Sequence, residues 1–179
     1  MTTDVTRKPD WLKVQLNTTE NFRYLKRLTK REGLTTVCEE ARCPNIHECW
    51  GEHRTATFMI LGDTCTRRCR FCAVKTGLPS MVDLGEPARV GASVAELELR
   101  HVVITMVNRD DLKDGGAEVM ANTVRSIQRQ APDCTVEVLT SDFLGSRASV
   151  ELVVAAEPAI FSHNLETVRR LTPQVRSRS

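Results

Sequence analysis

The sequence predicts an α/β protein: βαβ units building a parallel sheet behind an N-terminal helical extension. Three observations carry this. Apolar runs at 55–62, 101–107, 135–140 and 158–163 read as four parallel strands, the 101–107 run (HVVITMV) being continuous enough to be covered on both faces. Segments with helical spacing lie between them. Six of the seven cysteines fall in two triplets, one ahead of the first strand and one directly after it.

Taken in order, residues 1–10 are polar and expected to be disordered. The stretch 19–31 reads as a helix capped by Thr19 and ended at Gly33, with Tyr24 and Leu28 on one face. Strand 55–62 (TATFMILG) leads straight into the second cysteine triplet. Val90, Val94 and Leu97 give 87–99 a helical period, which Gly91 weakens without forbidding. Met120, Val124 and Ile127 do the same for 116–130, and 149–156 is shorter. The stretch 165–171 begins another helix, which Pro173 stops. Alternating strands and helices imply βαβ units with right-handed crossovers. Two regions are expected: an extension over 1–54 and the α/β region over 55–179.

Composition excludes several classes. Lys and Arg (25) barely outnumber Asp and Glu (23), so no nucleic-acid footprint is visible, and 4% aromatics leave no base-stacking surface. No apolar run is long enough to span a membrane, and the start, MTTDVTRKPDWLK, has neither a signal-peptide core nor an Arg/Ser-rich transit pattern. The bacterial cytoplasm is the expected compartment, with the mitochondrial matrix second.

The cysteines carry the chemistry. Cys38, Cys43 and Cys49 are spaced C-x4-C-x5-C; Cys65, Cys69 and Cys72 are spaced C-x3-C-x2-C, in the string CTRRCRFC. Closely spaced soft thiolates suit zinc, copper(I) or an iron–sulfur cluster. Three readings are open. A disulfide framework needs an oxidising compartment and is typical of short secreted chains. Structural zinc wants two matched ligand pairs, which these spacings do not make, although His47 or His53 could complete a site. Iron–sulfur clusters held by three cysteines each would leave one corner open for a further ligand.

In a (β/α) barrel the active site lies at the carboxyl ends of the strands. The Cys65–Cys72 loop follows the first strand there. Asn108, Arg109, Asp110 and Asp111 follow the second, with Gly115 and Gly116 just beyond. Ser141 and Asp142 follow the third, and His163 and Asn164 the fourth. Glu137, between Val136 and Val138, points by period-two alternation into the barrel, where a carboxylate needs a partner such as a ligand hydroxyl. Asn164 could bind ligand or cap a following helix. Arg67, Arg68 and Arg70 could offset cluster charge or be solvated. Cys134 has no thiol neighbour and reads as a small buried hydrophobe.

CTRRCRFC resembles the cluster motif of the radical S-adenosylmethionine enzymes, and VCEEARCPNIHECW (37–50) is similar to the auxiliary-cluster motif of the lipoyl synthase family. FCAVKTG (71–77), RHVVITMVNRDDLKDGGA (100–117), TVEVLTSDF (135–143) and HNLETVRRL (163–171) extend the likeness over about 11–176. The resemblance implies a sulfurtransferase with a radical-SAM-type barrel. It implies two [4Fe-4S] clusters: Cys65, Cys69 and Cys72 hold the one that chelates S-adenosylmethionine, and Cys38, Cys43 and Cys49 the one consumed as sulfur donor. The implied reaction inserts sulfur at the sixth and eighth carbons of an octanoyl group on a lipoyl carrier domain or H protein, with ferredoxin or flavodoxin as electron donor. Phe71 would lie near the adenine, Gly115 and Gly116 would let backbone approach the methionine part or simply start a helix, and Asn108, Glu137 and Asn164 are further candidate cofactor contacts.

Departures from the family pattern accompany the match. The family barrel has six strands against the four read here, and the carboxy-terminal serine motif that completes the auxiliary cluster is missing. Ser177 and Ser179 fall too early to serve. Met106 stands for serine, Thr140 and Ser141 for an apolar–Pro pair, Ser162 for asparagine and His47 for glycine. A C-terminally truncated, partly open domain with an exposed sheet edge is therefore expected, either a synthase or a non-catalytic cluster- or carrier-binding remnant.

Overall fold

The computed structural model describes residues 18–176 and 178. The disorder expected over 1–10, and the serines 177 and 179, lie outside them. Elements run in chain order as α1 (Glu20–Arg31), β1 (Thr35–Thr36), α2 (Val37–Glu40), α3 (Ile46–Glu48), a π-helical turn (Cys49–His53), β2 (Thr55–Ile60), β3 (Thr64–Cys65), β4 (Lys75–Thr76), α4 (Glu86–Glu96), β5 (His101–Met106), α5 (Ala117–Gln130), β6 (Thr135–Leu139), a 3-10 turn (Phe143–Gly145), α6 (Arg147–Val154), β7 (Ile160–Ser162) and α7 (Thr172–Val175).

The main sheet has the order β1-β2-β5-β6-β7. Four of its strands are parallel, in the register Phe58↔Ile104↔Val138↔Phe161, as the apolar runs predict. β1 is an antiparallel addition opposite Phe58 and Met59 that the sequence did not announce. Period-two patterning sorts the side chains. Ala56, Phe58, Ile60, Val102, Ile104, Val136 and Val138 are buried in one core with Val90 and Val94 of α4 and Met120, Val124 and Ile127 of α5. Each such burial is worth about 1.5–3 kcal/mol. Thr57, Thr105, Glu137 and Leu139 are only half-buried, on the opposite, concave face.

Gly91 has a packing reason. A Cβ there would sit 2.5 Å from the Ser126 hydroxyl oxygen and 3.0 Å from its carbonyl carbon, so α4 and α5 cross where one of them has no side chain. In α1 the Thr19 hydroxyl accepts from Phe22 N, and the buried residues are Phe22, Leu25, Leu28 and Thr29. Tyr24 is not buried beside Leu28. It stays 38% exposed and its hydroxyl donates to Glu96 of α4. Phe22, Leu25, Leu34 and Trp50 join the same continuous core as the sheet.

One helix was misplaced by the sequence. Residues 165–171 are irregular, and Leu165 and Val168 are exposed with no apolar surface to cover them. The helix begins only at Thr172, and Pro173 occupies its first turn, where a missing N–H costs nothing. Pro173 thus starts a helix rather than stopping one. Asn164 caps nothing. β7 pairs with β6 and lies at the end of the sheet order, with Ile160 and Phe161 partly exposed.

Candidate functional site

The carboxyl ends of the parallel strands open onto a cavity of about 270 Å³. Cys65, Cys69, Phe71 and Cys72 line it from the loop after β2, Asn108 from the loop after β5, Thr140 and Ser141 from that after β6, and Asn164 and Arg176 from the segment after β7. Thr57, Met59, Thr105 and Leu139 form its floor on the concave face. The structure therefore brings together the second cysteine triplet, Phe71, Asn108 and Asn164. Phe71 is 53% exposed, so it is not a plug beneath the loop.

Gly115, Gly116 and Glu137 are not brought to this cavity. Gly115 and Gly116 adopt φ of 63° and 91° and turn the chain into α5. A Cβ on Gly116 would fall against Leu61 Cδ1 and lie 3.2 Å from Met106 Cε. The pair is thus explained by the helix-start turn and close packing. Met106 packs its terminal methyl under that turn. Glu137 lies lower on the concave face, where Ser162 Oγ donates to it at 2.9 Å and His101 Nε2 lies 3.3 Å away. Its partners in the structure are these two protein groups.

Cys65 is the anchored thiol. Its sulfur accepts from Arg67 N at 3.4 Å, Asn108 N at 3.3 Å and Asn108 Nδ2 at 3.8 Å. Converging N–H donors suit a sulfur that serves as an acceptor, as a metal-bound cysteine sulfur does. Asn108 Oδ1 is buried without a partner among the described residues. Burial pushes the Cys69 thiol pKa up, while Arg176 pulls it down and Cys65 and Cys72 push it up again. Three soft donors around one cavity, one of them backed by N–H groups, fit an iron–sulfur cluster that takes its fourth ligand from the cavity side. Among the described residues no group of three or more His, Cys, Asp or Glu side chains is placed to hold a metal ion.

The first triplet does not line this cavity, but a chain neighbour of Cys38 does. β1 and α2 carry Val37 onto its wall, and the next residue, Cys38, lines a neighbouring pocket of about 520 Å³ with Cys43 and His47. Cys49 completes the group from the π-helical turn. Burial pushes its thiol pKa up, followed by the negative potential of Cys38, Cys43 and Glu48. His47 stacks on Phe22 with ring centroids 4.4 Å apart, and its Nδ1 is buried without a partner among the described residues.

The three arginines of the cysteine loop separate. Arg68 and Arg70 are exposed, whereas the Arg67 side chain is only 2% exposed. Its Nε and Nη2 donate to Asp110 at 2.8–3.1 Å, and its Nη1 and Nη2 to Asp142 at 2.7 Å. Burial pushes the Arg67 pKa down, but the hydrogen bonds that it donates to Asp142 and Asp110 outweigh it and the net direction is up. This fork ties the cluster loop to the loops after β5 and β6. Arg109 is buried too and donates to Asp111, Ser80 O and Leu61 O, so the NRDD string splits its charges between two anchor points. Sequence reasoning missed this network. The available signal was one basic and two acidic residues on successive loops at one end of the barrel.

Cys134 is buried, and burial alone pushes its thiol to about 11. At pH 8 about one molecule in a thousand then carries the reactive thiolate. In the metal-free protein, Cys134 is expected to resist alkylation while exposed Cys72 reacts; peptide mass mapping with and without denaturant checks this. Equal labelling of both in native buffer would contradict the burial.

The sequence profile of the Radical SAM superfamily matches residues 59–179, two thirds of the chain. The chain belongs to the radical SAM superfamily. The profile of the N-terminal domain of lipoyl synthase of the radical SAM family matches residues 2–43. Among curated proteins, the lipoyl synthase of Shouchella clausii is 63% identical over 173 residues, which are 97% of this chain and 56% of that protein. Those of Oceanobacillus iheyensis and Staphylococcus carnosus are 61% and 60% identical, over 55% and 57% of their lengths. The chain thus spans a little over half the length of the curated relatives it matches. Membership in the superfamily implies a [4Fe-4S] cluster and S-adenosylmethionine, and the thiol set described above fits that cluster. Among the described residues no helix is long and apolar enough to cross a membrane.

Proposed function

We propose that this chain carries the two cluster sites and the cofactor cavity of a lipoyl synthase. Cys65, Cys69 and Cys72 hold the [4Fe-4S] cluster that binds S-adenosylmethionine, and Cys38, Cys43 and Cys49 hold a second cluster that supplies sulfur to the sixth and eighth carbons of a bound octanoyl group. The observation that carries this reading is the adjacency of the triplets: Val37 lines the first cavity and Cys38 lines the second. Cys38 is thus one residue along the chain from the wall of the cavity that would hold the octanoyl chain.

When bound, the first cluster supplies the electron that splits the sulfonium, and the cofactor supplies the radical. The protein's own part is positioning. Asn108 N, Asn108 Nδ2 and Arg67 N hold Cys65 Sγ in one orientation. Arg67, clamped by Asp110 and Asp142, fixes the loop that carries all three thiols. Phe71, at the exposed lip of the cavity, offers a ring face to the adenine. Val37, Met59 and Leu139 give the cavity an apolar wall suited to an acyl chain and keep water from it. The division at residue 54 separates the sulfur-donor region from the barrel. Octanoylated carrier domains or H protein are the substrates, and ferredoxin or flavodoxin the electron donor. The bacterial source of the three relatives named above supports a cytoplasmic setting.

The test is anaerobic reconstitution of the full chain, followed by assay with S-adenosylmethionine, dithionite and an octanoylated carrier. The reading predicts 5′-deoxyadenosine together with lipoyl product. Deoxyadenosine alone would leave the radical site standing and remove sulfur insertion. Neither product from a fully loaded chain would favour a non-catalytic cluster- or carrier-binding module.

A further inference from the structure

Among the described residues, Arg176 is a buried cation with no acidic partner. It is 7% exposed and lines the cavity that holds Cys69. Its Nη1 donates to the Asn164 carbonyl at 2.6 Å. The other buried arginines are neutralised, Arg67 by Asp110 and Asp142 and Arg109 by Asp111. Among the described residues no carboxylate pairs with Arg176, although Glu166 lines the same cavity. An unpaired buried charge is costly, so the site is built for an anion.

Two links point to which anion. Arg70 N, inside the cysteine loop, donates to Val175 O at 2.9 Å, so the loop and the Arg176 segment are joined at the backbone. Arg176 also lines the same cavity as Cys65, Cys69 and Cys72. We propose that Arg176 is the counter-charge of the cluster held by Cys65, Cys69 and Cys72, and that it sets that cluster's reduction potential. The proposal rests on reading those cysteines as cluster ligands.

A cluster bearing three thiolates is anionic and gains a further negative charge on reduction. A guanidinium fixed beside it in a partly water-excluded cavity stabilises the reduced form more than the oxidised one and raises the potential. Arg68 and Arg70 are exposed and screened by solvent, so their share is small. The Asn164 carbonyl holds the guanidinium in place without neutralising it.

The experiment is a redox titration of the reconstituted full chain followed by electron paramagnetic resonance, on wild type, Arg176→Gln, Arg176→Lys and Arg70→Gln. Iron is counted first, so that failure of the cysteine reading shows as missing cluster rather than as an unmoved potential. Arg176→Gln is expected to shift the potential to more negative values. Arg176→Lys should fall between, because an ammonium without the planar fork sits further from the cluster. Arg70→Gln should match wild type. A wild-type potential in Arg176→Gln at full iron overturns the proposal. So does weakened S-adenosylmethionine binding with an unmoved potential, which would give the guanidinium to the cofactor's carboxylate instead. Should Arg176→Gln fail to take up iron, Arg176→Lys decides, and a potential identical to wild type counts against the proposal.

Discussion

Replacing Arg67 by methionine is expected to lower the unfolding free energy by about 3–5 kcal/mol, the range for breaking a buried ion pair from one side. The reason is what remains. Asp110 and Asp142, 15% and 21% exposed, would face each other with the cation that both now bind removed. Methionine fills most of the volume, so little of the loss is cavity formation. The loss should therefore be electrostatic and largely recoverable. Adding Asp110→Asn and Asp142→Asn to Arg67→Met should restore more than half of it, and urea titrations of the single and triple variants check the cycle. A single-variant loss under about 1 kcal/mol would mean that the network is no stronger than a surface pair.

The two cysteine triplets should separate by function. Changing Cys65, Cys69 and Cys72 together to alanine is expected to remove one cluster, abolish 5′-deoxyadenosine formation and weaken S-adenosylmethionine binding at least about 100-fold, as loss of the metal that binds a ligand directly would do. Changing Cys38, Cys43 and Cys49 should remove the other cluster while deoxyadenosine formation persists. The asymmetry follows from the geometry, since only the second triplet lines the cavity with Asn108 and Asn164. Equilibrium binding and product chromatography on the two variants decide it. Loss of deoxyadenosine from both would merge the two sites into one.

What was legible in the sequence was what local pattern dictates. The apolar runs of β2, β5 and β6, and the period-3.6 residues Val90, Val94, Met120, Val124 and Ile127, bury as their spacing requires, whereas β7 pairs as expected but leaves Ile160 and Phe161 exposed. The second triplet and Asn108 meet because strand order and loop position alone place them there. Features that depend on distant partners were not legible. Arg67 looks like its exposed neighbours Arg68 and Arg70, and only the fold brings Asp110 and Asp142, 43 and 75 residues away, to its two edges. Glu137 carries the right alternation, but His101 and Ser162 reach it across two strand pairings. The 165–171 stretch has helical composition and no surface to pack against, so periodicity there misleads. Arg176 was overlooked because nothing in RSRS marks one arginine as buried.

The central claim is that both triplets hold iron–sulfur clusters. Metal and sulfide analysis of the anaerobically reconstituted chain, with Mössbauer spectra, tests it most directly. About eight irons and eight sulfides per chain are expected, falling by half in either triplet variant. Stoichiometric zinc with no visible chromophore, or iron content unchanged when Cys65, Cys69 and Cys72 are all replaced, would contradict it.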